Sequence, residues 1–205
     1  MGDFAKAHAF TARWEGGFTD HPADPGGVTN HGVSLRFLRG QKEDIDGDGD
    51  IDGDDVRALG AEDAARIMRR EFWDPMKLDE VKPLCAAVLY DAAVNMGAGC
   101  ARRMAQKALG VPADGVWGPV TWSALRVCDD RKTAAAICHI RRARYHELAG
   151  RNAALGAFLK GWLRRVDALE TFVETERDAD AGKSVRKTSG VRRGRRAVAA
   201  EEKAS

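Results

Sequence analysis

Trp14-Glu15-Gly16-Gly17-Phe18-Thr19-Asp20-His21-Pro22-Ala23-Asp24-Pro25-Gly26-Gly27-Val28-Thr29-Asn30-His31-Gly32-Val33 separates a first helix from the rest of the chain. Two Gly-Gly pairs and two prolines interrupt regular backbone, so the stretch reads as a structured turn region. Upstream, Asp3 can cap a helix in which Phe4, Ala7, Thr11 and Trp14 share one face, and Gly16-Gly17 ends it. Glu15 therefore falls at a helix C-terminus, at the mouth of a glycine-rich loop whose backbone can close tightly against a bulky ligand.

Downstream the pattern is almost entirely helical. A short helix is predicted over Val33 to Arg39, a second near Ala61 to Trp73 and an apolar one over Leu84 to Met96. Further helices are predicted over Cys100 to Leu109, Val120 to Val127, Thr133 to Ala149 and Ala153 to Glu176. In the last of these, Leu155, Phe158, Leu159, Trp162, Val166 and Leu169 recur at helical spacing and read as core packing. The expected architecture is mainly α.

Between the second and third helices lies Asp44-Ile45-Asp46-Gly47-Asp48-Gly49-Asp50-Ile51-Asp52-Gly53-Asp54-Asp55. Acids at positions 1, 3, 5, 9 and 12 of a twelve-residue loop, with Gly at 6 and Ile at 8, have the EF-hand-like spacing that converges oxygens on one hard cation. The expected ligands are Asp44, Asp46, Asp48 and Asp55, with Asp50 contributing its backbone carbonyl, and the expected ion is a structural Ca²⁺. Seven Asp in twelve residues would otherwise repel one another.

The 205 residues suit one compact domain or one with a small appendage, and no apolar run is long enough to span a bilayer. Met1-Gly2-Asp3-Phe4-Ala5-Lys6 lacks the features of a secretory signal. Cys85, Cys100, Cys128 and Cys138 are spaced too irregularly for a zinc ribbon and read as mostly buried thiols. Charge is uneven: from Arg177 onward nine Lys and Arg face four Asp and Glu, so the tail carries +5 and the rest −3. That tail has no apolar periodicity and is expected to be disordered. It has no interleaved aromatics, so no nucleic-acid partner is expected, whereas an anionic membrane or outer-envelope surface suits its charge.

Cleaving a glycosidic bond requires a proton donor for the leaving oxygen, and a Glu beside apolar neighbours such as Trp14 and Phe18 is suited to that role. A second carboxylate can stabilise the oxocarbenium-like transition state, attack it or activate water, and Asp24 is the one the loop offers.

Glu15-Gly16-Gly17 followed by Asp24-Pro25-Gly26-Gly27-Val28-Thr29-Asn30-His31-Gly32-Val33 resembles the signature of glycoside hydrolase family 108, the peptidoglycan-cutting muramidases. The resemblance implies a lysozyme-like fold and puts the family's catalytic Glu on Glu15. The order of Glu15, Asp24 and Thr29 is also similar to the Glu, Asp, Thr triad of phage-type lysozymes, with one residue fewer between the last two, and implies that Asp24 and Thr29 position a water. Tyr90-Asp91-Ala92-Ala93-Val94-Asn95-Met96-Gly97 resembles the helix that follows the acidic insert in that family. Asn95 then either hydrogen-bonds a sugar or caps its helix, and Gly17 and Phe18 are expected to meet substrate. Ala108 to Thr121 is similar to peptidoglycan-binding repeats, although a helix–loop–helix explains the same residues structurally.

The expectation is thus a lysozyme-like catalytic region over 1–107 containing the calcium loop 44–55, a peptidoglycan-binding-like helical region over 108–176 packed on it, and a basic tail over 177–205. Its activity would be that of an endolysin-type N-acetylmuramidase. A lytic transglycosylase using Glu15 alone, or a non-catalytic calcium-dependent wall-binding protein, are the alternatives. A monomer is expected, made in the cytoplasm and released to the wall by a holin.

Overall fold

A computed structural model describes residues 1–20 and 27–176. The chain runs through α1 (Phe4–Glu15), a two-stranded hairpin β1 (Thr29–Asn30) and β2 (Val33–Ser34), α2 (Leu35–Gln41), α3 (Gly53–Ala58) and α4 (Ala61–Met68). A π-helical turn (Arg69–Trp73) and two 3₁₀ turns lead to α5 (Pro83–Met96), α6 (Ala98–Leu109), α7 (Pro119–Val127) and α8 (Asp130–Arg151). Residues 153–176 form the last described helix, α9.

The local chemistry explains the starts and stops. Asp3 accepts from Lys6 N at 3.2 Å and opens α1, and Ser34 does the same for α2 through Phe37 N. Val33 and Ser34, expected in that helix, instead pair as strand with Asn30 and Thr29, so α2 begins two residues later. The helix expected over Ala61 to Trp73 is α-helical only to Met68, then widens to π geometry before Pro75, which has no N–H to give an α ladder. The first turn of α5 is capped from α8: Asp130 accepts from Leu84 N at 3.0 Å and Cys85 N at 2.9 Å.

Helix α5 is the centre. Cys85 to Ala93 are all buried, and the helix packs against α1, α6 and α8. A helix enclosed on every side carries apolar residues on every side, as this one does apart from Asp91. Phe10, Trp73, Tyr90, Ile137, Val166 and Leu169 join the same core. Phe158 departs from the core role expected of it: it is 58% exposed and stacks on Trp162 at 5.9 Å. All four cysteines are free; Cys85 and Cys138 are buried, and Cys100 and Cys128 only partly so. Among the described residues no helix is long and apolar enough to cross a membrane. The tail 177–205 lies outside the described residues.

Candidate active site

Glu15 is the last residue of α1, and Gly16, at φ 77°, turns the chain away from the helix. Oε1 of Glu15 accepts a 2.6 Å bond from Arg165 Nη2 of α9. Among the described residues Oε2 has no hydrogen-bond partner. The Glu15 side chain is 19% exposed and that of Arg165 only 6%, so the pair sits at the boundary between core and solvent.

Behind it lies a buried polar chain. Arg165 Nη2 and Nε reach Asp91 at 2.7 and 3.1 Å, and Asp91 also accepts from Arg141 Nη1 at 2.5 Å and from Thr11 Oγ1 at 3.0 Å. Arg141 Nε donates to the Tyr145 hydroxyl, which donates to Asn95 Oδ1 at 2.5 Å. Taking charges out of water costs several kcal/mol per ion and is offset only by close, complete pairing. Here two guanidiniums face two carboxylates, and Arg141 Nη2 is left buried without a hydrogen-bond partner among the described residues. Burial alone would push the Asp91 carboxyl up, but Arg141 and Arg165 outweigh it and hold it below the usual carboxylate range.

The opposite wall is the hairpin. Asn30 pairs with Val33 across a two-residue turn in which His31 and Gly32 both have positive φ, 49° and 78°, the signature of a type I′ turn. Gly32 is required twice over. A Cβ there would lie 2.8 Å from Glu15 Cβ and 2.9 Å from Met68 Cε, so the turn leans directly on the stem of Glu15. Asn30, 8% exposed, fixes the hairpin from the other side, donating through Nδ2 to Val56 O at 3.1 Å and Leu59 O at 3.3 Å at the end of α3.

The other residues singled out in the sequence are distributed around this centre. Asp24 lies outside the described residues, but the loop that carries it is closed at its base by Thr19 and Thr29, whose backbones exchange bonds of 2.8 and 2.9 Å. Thr29 Oγ1 donates to Gly27 O at 3.3 Å. Gly17 is exposed, and Phe18, 48% exposed, has the Arg57 guanidinium 5.8 Å from its ring centre. The close approach recorded at the Glu15 stem is that of the Gly32 turn. Asn95 is exposed, and its side chain is tied to Tyr145, whereas α5 is closed by Gly97. In the 108–121 segment, Asp114 and Thr121 both accept from the buried Gln106, at 2.6 and 3.2 Å, which gives the loop a structural reason for those residues.

The acidic insert gathers its carboxylates in two groups, Asp44, Asp46 and Asp48, and Asp50, Asp52 and Asp55. Asp44 accepts from Gly47 N at 2.6 Å and Gly49 N at 3.0 Å, and Gly49 has φ 98° where the loop needs a left-handed residue. Asp55 is buried; burial pushes its carboxyl up, but the N–H groups of Ile45 and Asp52 prevail and hold it below the ordinary range. The charges of Asp48 and Asp52 push the Asp50 carboxyl up, a repulsion that a cation would relieve. These clusters could bind a metal.

Sequence reasoning passed over Asp91, Arg141 and Arg165. Asp91 did carry a signal, since an acid inside an otherwise apolar helix is expected to be paired. Arg141 sits among Arg131, Lys132, Arg142 and Arg144, and nothing local marks it as the buried one.

Residues 8–97 match the family model described as Glycosyl hydrolase 108, and residues 100–167 match the Predicted Peptidoglycan domain. No curated protein matches the chain. Among solved structures, Brucella abortus SagA superposes with a TM-score of 0.68 at 32% identity, over 84% of this chain and 94% of that one. Glu15 and Asp91 fall in the first matched segment, and Arg141 and Arg165 fall in the second, so the buried ion pairs join the two. The chain belongs to the glycosyl hydrolase 108 family, and is a glycoside hydrolase acting on peptidoglycan.

Proposed function

We propose that the enzyme is an endolysin-type N-acetylmuramidase that hydrolyses the β-1,4 bond between N-acetylmuramic acid and N-acetylglucosamine, with Glu15 as the general acid. The observation that carries this reading is the setting of Glu15: a helix-end carboxyl pinned through one oxygen by Arg165 and pressed by Gly32, with its second oxygen available to a leaving group. Fixing the carboxyl leaves little reorganisation for the proton-transfer step. Asp24, on the loop closed by Thr19 and Thr29, is the second carboxylate of the proposal, with Thr29 assigned to help it orient the attacking water.

The acidic insert is proposed to hold Ca²⁺ through Asp44, Asp46, Asp48 and Asp55 with the Asp50 carbonyl. A hard divalent ion there would clip the loop together, and no catalytic step runs through it. The setting proposed for the activity is the periplasmic face of the wall, reached after holin-mediated release, with the basic tail meeting an anionic envelope surface.

The test is clearance of purified sacculi by wild type and by Glu15→Gln, matched by circular dichroism, followed by mass analysis of the ends produced. Wild type should clear them and leave reducing N-acetylmuramic acid, while Glu15→Gln should be at least about 100-fold slower. Anhydro ends would identify a transglycosylase instead, and equal clearance by both proteins would remove Glu15 from the mechanism.

A further inference from the structure

A groove opens one helical turn from the buried ion pairs. Each helix of the network contributes to it: Asn95 follows Asp91 by four residues on α5, Tyr145 follows Arg141 by four on α8, and Trp162 precedes Arg165 by three on α9. Residues at these separations share a helix face, about 5.4 Å apart per turn. Arg103, Arg144 and Met96 complete the principal lining of a cavity of about 380 Å³.

Its chemistry is specific. Tyr145 and Trp162 stack at 4.9 Å with 20° between their planes; Tyr145 is buried by that contact and by Arg141, and Trp162 is left partly exposed at the groove. The Tyr145 hydroxyl holds Asn95 by its carbonyl oxygen, which leaves the exposed amide N–H₂ as a fixed donor. Two guanidiniums line the cavity, and no carboxylate does. Arg144 gives one nitrogen to Glu147 at 2.7 Å, and Arg103 has no acidic partner among the described residues. A second cavity of about 500 Å³ continues past Arg103 and Arg144 and adds Lys107, with Glu147, the partner of Arg144, also on its wall. Donors and cations beside the partly exposed Trp162 suit an anion with an organic body. In peptidoglycan the carboxylates sit on the peptide branches, while the amidated sugars are neutral.

We infer that this groove binds the carboxylate-bearing peptide branch of peptidoglycan and thereby sets the glycan strand over Glu15. The assignment rests on the muramidase reading above and extends it to substrate selection. The groove draws Asn95 and Met96 from the glycosyl hydrolase match and its other six lining residues, Arg103 and Arg144 among them, from the peptidoglycan-domain match, so a ligand seated there touches both.

The experiment compares kcat/KM on two forms of the same peptide-bearing glycan strands: strands with free peptide carboxylates, and strands whose peptide carboxylates have been converted to amides. Wild type should prefer the carboxylate-bearing form. Arg103→Gln with Arg144→Gln should lower the ratio of the two values about tenfold, mostly through KM, and the paired Arg→Lys variant should restore part of it. Arg103→Gln alone, at an exposed residue, provides the same reading in smaller measure if the double variant loses its fold. A wild type that cleaves both forms equally overturns the groove alone, as does a double variant whose ratio is unchanged. A wild type that cleaves neither overturns the muramidase reading and the groove with it.

Discussion

Replacing Arg165 with Met keeps a flexible chain of similar length and removes every bond the guanidinium makes: one to Glu15 at 2.6 Å and those to Asp91 at 2.7 and 3.1 Å. Asp91 is fully enclosed, so its carboxylate has no exposed surface of its own to solvate it once that cation is gone. Removing one partner of a buried pair costs about 3–5 kcal/mol. Asp91 keeps Arg141 and Thr11, which puts the expected loss at the lower end, about 3 kcal/mol. For a chain of this size that corresponds to a fall in Tm of roughly 6–12 °C. Thermal unfolding at pH 7 measures it, and urea unfolding with an unchanged slope would place the effect in the folded state. Combining Arg165→Met with Asp91→Asn should deepen the loss, since the buried Arg141 would then lack a carboxylate partner among the described residues. Turnover, assayed well below both midpoints, should fall by about 100-fold because Glu15 loses its only described tether. A Tm within about 2 °C of wild type, well under the 3 kcal/mol scale, would refute the claim that these pairs hold the two matched segments together.

Gly32→Ala combines left-handed strain of about 1–2 kcal/mol with a methyl placed against the Glu15 stem, so activity should fall far more than stability; an active Gly32→Ala enzyme would contradict the close approach. Asp91 has its pKa depressed in the fold, so its ionic contribution is fully present above the unfolded value of about 3.9 and lost as pH falls through the folded value. The stability difference between wild type and Asp91→Asn, followed by urea unfolding, should therefore be level from about pH 5 to 8 and shrink below about pH 4; a difference that grows on acidification would reverse the assignment. Calcium at about a hundred times its Kd should stabilise the protein by about 2.7 kcal/mol, and Asp48→Ala should abolish the gain; identical melting in EDTA and in calcium would remove the ion from the insert.

Most helix positions were legible because their ends are chemical: Asp3 opens α1, Gly16 closes it, Pro83 and Pro119 open α5 and α7, and Gly110 closes α6. The hairpin was not, since Thr29-Asn30 and Val33-Ser34 are too short for an alternating pattern and are set by the positive φ of His31 and Gly32. At the site, local signals single out Glu15, whereas its partner lies 150 residues away on a helix whose pattern marks only its apolar face. Arg165 and Arg141 are neighbours of Asp91 through the packing of α8 and α9 on α5, which no single segment encodes. Phe158 kept the helical spacing of a core residue, yet α9 extends past the body there and leaves the ring on Trp162.

Asn30 reads no side chain on α3. Its amide grips the carbonyls of Val56 and Leu59, groups that every amino acid carries. The tie is therefore indifferent to composition and sensitive only to register. Exchanges at Val56 or Leu59 that keep the helix leave the grip intact, whereas gaining or losing one residue between Ile45 and Leu59 would present different carbonyls and shift the hairpin against Glu15. Sequence drift at these two contact positions is thereby tolerated in kind and constrained in length.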